Sequence, residues 1–86
     1  MGLDGVELVM AIEDEFNLEI SEADGAHLIS VGDTYNYVIE SLQSRGETPD
    51  KEAIWLRLRG VIVEQLGVRP RQVVMTAEFV RDLGVG

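Results

Sequence analysis

This chain predicts an all-α fold, a bundle of three main helices and one short one, on the strength of three observations. Apolar residues recur at helical rather than alternating spacing in three separate stretches. Each stretch opens on residues that can cap a helix. The long segment after Gly67 has no period at all, and nothing in it argues for a sheet.

The first helix carries Val6, Val9, Met10, Ala11 and Phe16 near helical spacing, with Leu8 and Ile12 widening the stripe. Glu7, Glu13, Asp14 and Glu15 fall mainly outside it. Asp4 followed three residues later by Glu7 fits a capping box, which places the start of regular helix at about Gly5. Asn17 leaves the helix, and Leu18 and Ile20 anchor the following loop. Ser21 caps a short helix through about His27, with Glu22 and Asp24 in its first turn.

Ser30-Val31-Gly32-Asp33 is a second capping-box pattern and opens a helix to about Gln43, with Tyr35, Val38, Ile39 and Leu42 inward. The polar run Ser44–Thr48 connects it to the last main helix. Thr48 is the expected cap and Pro49 the first helical residue, with Asp50 and Glu52 complementing the dipole. Ile54, Leu58, Val61, Ile62 and Leu66 line the inner side of this helix until Gly67 ends it, and Trp55 is expected to be half-buried. Beyond it, Arg69-Pro70-Arg71 bars further helix, Val73 and Val74 are expected to plug the core, and Thr76 opens a turn through Phe79.

Composition excludes several functions. Without cysteine there are no disulfides, thiolate metal sites or cysteine nucleophiles, and a lone histidine, His27, makes a zinc site or a serine–histidine hydrolase untenable. No apolar run approaches the ~20 residues that span a bilayer, so a cytoplasmic location is expected. Of the net charge of −9, residues 1–43 contribute ten carboxylates and no Lys or Arg, against six carboxylates and seven Lys or Arg in residues 44–86. Such a field repels nucleic acid and anionic membranes and attracts basic protein surfaces.

Read from Lys51 to the end and on through Met1, the chain presents Glu64-Gln65-Leu66-Gly67-Val68, then Phe79-Val80-Arg81-Asp82-Leu83-Gly84, then Val6-Glu7-Leu8-Val9-Met10, and finally Tyr37-Val38-Ile39. In that order it resembles a complete bacterial-type acyl carrier protein, a family of fatty-acid and polyketide synthesis. The resemblance implies a circularly permuted carrier bundle in one domain. Residues 1–43 match family helices two to four, 44–49 form a connector, and 50–86 match helix one and the long loop.

In the family a serine at the start of the second helix carries 4'-phosphopantetheine. The resemblance puts Gly2 at that position, and a glycine has no hydroxyl to modify. Ser21 and Ser30 are better explained as caps, and Ser41 and Ser44 as solvated positions. No cofactor is therefore expected here, and no enzymatic activity. Glycines beside both ends of the permuted order suggest an engineered cut. The resemblance assigns partner docking to Asp4, Glu7, Glu13, Asp14, Glu15, Glu22 and Asp24. The implied partners are basic surfaces of the synthesis enzymes and of phosphopantetheinyl transferase. It also implies that Val6, Met10, Leu28, Ile29, Val38, Ile39, Leu58 and Ile62 either line an acyl cleft or are ordinary core. A non-carrying acidic interaction module, or a split or tandem carrier domain, is the alternative, and the expected state is a monomer or a domain-swapped dimer.

Overall fold

A computed structural model describes the backbone of residues 3–86 and the side chains from Gly5 onward. Its elements in chain order are α1 (Leu3–Phe16), α2 (Glu22–Gly25), α3 (Val31–Ser44), α4 (Lys51–Leu66) and a single 3₁₀ turn at Pro70–Gln72. The fold is an all-helical bundle with three long helices. Among the described residues the only strand-like feature is an isolated antiparallel bridge between Ser30 and Glu78.

Helix ends follow from local chemistry. At the end of α1, Asn17 takes a left-handed conformation (φ 53°) and the Leu18 amide donates back to the Glu13 carbonyl (3.0 Å). That closes the helix in the manner usual for a glycine, a role asparagine tolerates because its short polar side chain suits this conformation. Helix α1 is already regular at Leu3, two residues ahead of the expected start. The Ser21 hydroxyl accepts from the Asp24 amide, but α2 stops at Gly25, and tight bonds from His27 to Asp24 and from Leu28 to Gly25 replace the longer helix expected. Ser30 and Asp33 form the anticipated capping box.

The start of α4 lies two residues later than expected. Asp50 is the cap rather than Thr48, and Pro49 precedes the helix. The carboxylate accepts from two amides at once, Glu52 (3.1 Å) and Ala53 (3.2 Å), which a threonine hydroxyl at the earlier register does less well. Gly67 ends α4 in the left-handed conformation, donating to the Val63 carbonyl.

The core is built around α4, which packs against both α1 and α3. Leu8, Ile12 and Phe16 from α1, Val31, Val38, Ile39 and Leu42 from α3, and Ile54, Leu58 and Ile62 from α4 form one cluster. Tyr35 is only half-buried and meets half-buried Trp55 edge to face, with ring centroids 6.1 Å apart.

The strap of residues 73–86 supplies a third of the buried apolar side chains despite having no helix: Val73, Ala77, Phe79, Leu83 and Val85. Val74, expected inside, is exposed, and only its neighbour Val73 plugs the core. Thr76 lies in a short turn closed by the Ala77 amide on the Val74 carbonyl (3.0 Å), and a second turn follows over residues 79–83. Between them the strap runs beside the start of α3. The Val31 amide donates to the Ala77 carbonyl (2.9 Å), the Gly32 amide to Met75 (2.8 Å), and the Phe79 amide to the Ile29 carbonyl (3.0 Å).

Gly32 is required by that approach. A Cβ there would lie 2.9 Å from the Met75 carbonyl oxygen, too close for the backbone to stay where it is. Gly32→Ala is predicted to destabilise the protein by about 1–3 kcal/mol, the usual range for overpacking. Gly60, inside α4 with nothing within 4 Å of a built Cβ, supplies the control. Gly60→Ala is predicted to stabilise by about 0.5–1 kcal/mol through helix propensity. Urea melts of the two variants check both signs.

Candidate docking face

Seven carboxylates in α1 and α2 form the face that the sequence points to, and the structure divides them into two sets. Glu7, Asp14 and Glu22 are exposed and, among the described residues, have no ion-pair partner. Glu13, Glu15 and Asp24 are already engaged within the chain. Asp4 contributes backbone to α1, its side chain lies outside the described set, and Gly2 lies outside the described residues altogether.

The engaged acids have structural work. Glu13 Oε2 accepts from the Ile20 amide (2.8 Å), pinning the loop after α1 and seating half-buried Leu18 and Ile20 on the core. Asp24 Oδ2 accepts from the Tyr37 hydroxyl (2.9 Å), tying α2 to α3. Burial first, then that bond and the Asp24 charge, hold the Tyr37 phenol above its ordinary value of 10.0. Glu15 pairs with Arg57 of α4 (2.8 Å).

Two arginines whose roles are not legible in the sequence explain how α1 ends without a cation in its own last turn. Arg57 donates to the Glu15 carbonyl (2.6 Å), and its guanidinium sits 4.7 Å over the Phe16 ring. Arg45 donates to the Asn17 carbonyl (2.6 Å) and the Phe16 carbonyl (3.4 Å) while pairing with Glu47 (2.7 Å). Positive charge at a helix C-terminus offsets the macrodipole. The charge asymmetry of the sequence is thus partly closed by tertiary contact. The one readable signal is the complete lack of Lys and Arg before residue 45.

The apolar residues that could line an acyl cleft also divide. Val38, Ile39, Leu58 and Ile62 are core, Leu28 is half-buried, and Val6, Met10 and Ile29 are exposed. The two depressions near the acidic face are shallow surface features. One lies between α2 and α3 beside Asp24, His27, Asp33 and Glu40, and the other beside Arg45 and Arg57. No group of three or more His, Asp or Glu among the described residues is arranged to hold a metal ion. Ser21 and Ser30 accept from backbone amides as caps, as their positions predict.

The described residues thus form an all-helical bundle with Glu7, Asp14 and Glu22 exposed along α1 and α2. One curated relative, named "Putative acyl carrier protein, mitochondrial" and from Schizosaccharomyces pombe (strain 972), is 42% identical to this chain over 43 residues. The matched stretch is 50% of this chain and 38% of the relative, so the chain spans well under half the length of the protein it matches. That likeness supports a relationship to acyl carrier proteins. No family model matches the chain, and no solved structure matches it.

The division of the acids gives a test. Glu13→Gln is predicted to destabilise the protein by about 1–2 kcal/mol, because the Ile20 amide loses a charged acceptor. Glu7→Gln, with no partner to lose among the described residues, is predicted to change stability by less than about 0.5 kcal/mol. Thermal melts of the two variants decide whether Glu13 is structural and Glu7 is not.

Proposed function

We propose that this chain is a carrier-type binding module in circularly permuted order, unable to carry a prosthetic group, that presents Glu7, Asp14 and Glu22 to basic surfaces of its partners. It is not an enzyme. In this reading residues 50–86 stand for the first helix and long loop of a carrier and residues 1–43 for the remaining helices, with Gly2 where the modified serine would be. The partners are enzymes of fatty-acid or polyketide synthesis and phosphopantetheinyl transferase, met in the cytoplasm.

The observation that carries the proposal is the division of charge on α1 and α2. Three acids are engaged within the fold, while Glu7, Asp14 and Glu22 are exposed and have no ion-pair partner among the described residues. Val6 and Met10 on α1 are exposed too. Exposed acids of this kind contribute little to stability, and docking gives them a use. The similarity of half the chain to an acyl carrier protein supports the carrier-like part of this reading.

The test combines intact mass and binding with one probe, a promiscuous phosphopantetheinyl transferase supplied with coenzyme A. The expected outcome is no mass gain beside an ordinary carrier protein that does gain, together with measurable binding to the transferase. That binding is expected to weaken about tenfold when Glu7 and Asp14 are both reversed to Lys, since exposed pairs contribute only ~0–1 kcal/mol each. A gain of one phosphopantetheine overturns the non-carrying assignment. Binding unaffected by charge reversal overturns the docking face.

A further inference from the structure

The bridge between Ser30 and Glu78 joins the strap to the start of α3, with inter-segment bonds on either side of it, Val31 to Ala77 and Phe79 to Ile29. In an antiparallel pair of this type the two facing residues do not bond to each other. Their own amides point outward and need separate acceptors. Each finds a carboxylate a few residues further along its own segment. The Ser30 amide donates to Asp33 Oδ2 (3.0 Å), which also takes the Ile29 amide (3.2 Å), and the Glu78 amide donates to Asp82 Oδ2 (2.8 Å). One acid thus fixes the helix side of the junction and the other fixes the strap side.

We propose that Asp33 and Asp82 form a two-carboxylate latch, so that the strap of residues 73–86 opens as a unit apart from the helical core and acid releases it. Without the latch the junction retains only three backbone bonds and the five apolar side chains of the strap. A segment without regular secondary structure of its own, held to its neighbours by a few backbone bonds at one junction, opens locally below the free energy of global unfolding.

Charges around the latch set its direction. Asp33 shares a shallow depression with Asp24 and His27 from the α2 region and Glu40 of α3. Beside Asp82 lie Glu78 and Arg81, the arginine 3.3 Å from Asp82 and 3.5 Å from Glu78. The Ser30 amide first, then that of Ile29, hold the Asp33 carboxyl below its ordinary value of 3.8. For Asp82 it is the Glu78 amide first and then Arg81. A carboxyl lowered by folding contributes its full stabilisation above the unfolded value and loses it as pH falls through the folded one. The latch is therefore closed at neutral pH and released below 3.8.

Amide hydrogen exchange on the full chain, read by NMR at neutral pH, tests the latch with Asp33→Asn and Asp82→Asn. Each variant is expected to speed exchange of the Val31, Gly32 and Phe79 amides together by about tenfold, the scale of one lost charge-assisted bond. Leu58 and Ile62 in α4 should keep wild-type rates. Asp82→Asn is decisive even if Asp33→Asn fails to fold, because its expected effect on Val31 and Gly32 crosses to the other segment. In the wild type, protection at the three junction amides should fall with acid before that of α4. Equal acceleration of α4, or an Asp82→Asn effect confined to the strap, overturns the proposal.

Discussion

The open N-terminus of α3 is the constraint on which the rest of the structure depends. A helix begins with four amides that have no partner inside it, and leaving them unsatisfied near a core is costly. Here all four are taken: Ser30 by the Asp33 carboxylate, Val31 by the Ala77 carbonyl, Gly32 by the Met75 carbonyl and Asp33 by the Ser30 hydroxyl. Two of the four acceptors come from a strap more than forty residues away. Those bonds lay the strap along the bundle and so place Val73, Ala77, Phe79, Leu83 and Val85 in the core, of which the sequence leads one to expect Val73 alone.

A second closure, at the other end of α1, works by charge. The helix ends on an asparagine turn with no cation of its own, and Arg45 and Arg57 arrive from the acid-balanced half of the chain to take that role. The two halves of the sequence therefore need each other twice, once through backbone pairing and once through guanidinium groups. That mutual dependence fits a proposed order in which neither half is a domain by itself. It also leaves Glu7, Asp14 and Glu22 as acids with no structural partner among the described residues.

Where adjacent residues govern the structure, the sequence is legible. Ser21 and Ser30 cap as their spacing with Asp24 and Asp33 requires, Gly67 ends α4, and the Ile54-Leu58-Ile62 stripe is buried as its period demands. The sequence reading puts the cap of α4 at Thr48 and gives Asp50 only a dipole role, whereas two amides on one carboxylate make Asp50 the cap. The strap reads as irregular but not as paired, since backbone bonds leave no trace in side-chain period. Gly32 is the one hint, a glycine inside the first turn of a helix where propensity gives it no place. The acidic face is legible as charge. Which acids are free is not, because Tyr37 and Arg57 reach Asp24 and Glu15 from 13 and 42 residues away.

The most direct test of the strap's place in the fold is the scalar coupling transmitted across the junction's own hydrogen bonds in solution. Resolved couplings are predicted from the Val31 nitrogen to the Ala77 carbonyl carbon and from the Phe79 nitrogen to the Ile29 carbonyl carbon. Absence of both, in a spectrum where couplings within α4 are plainly resolved, would contradict the pairing on which the bundle depends.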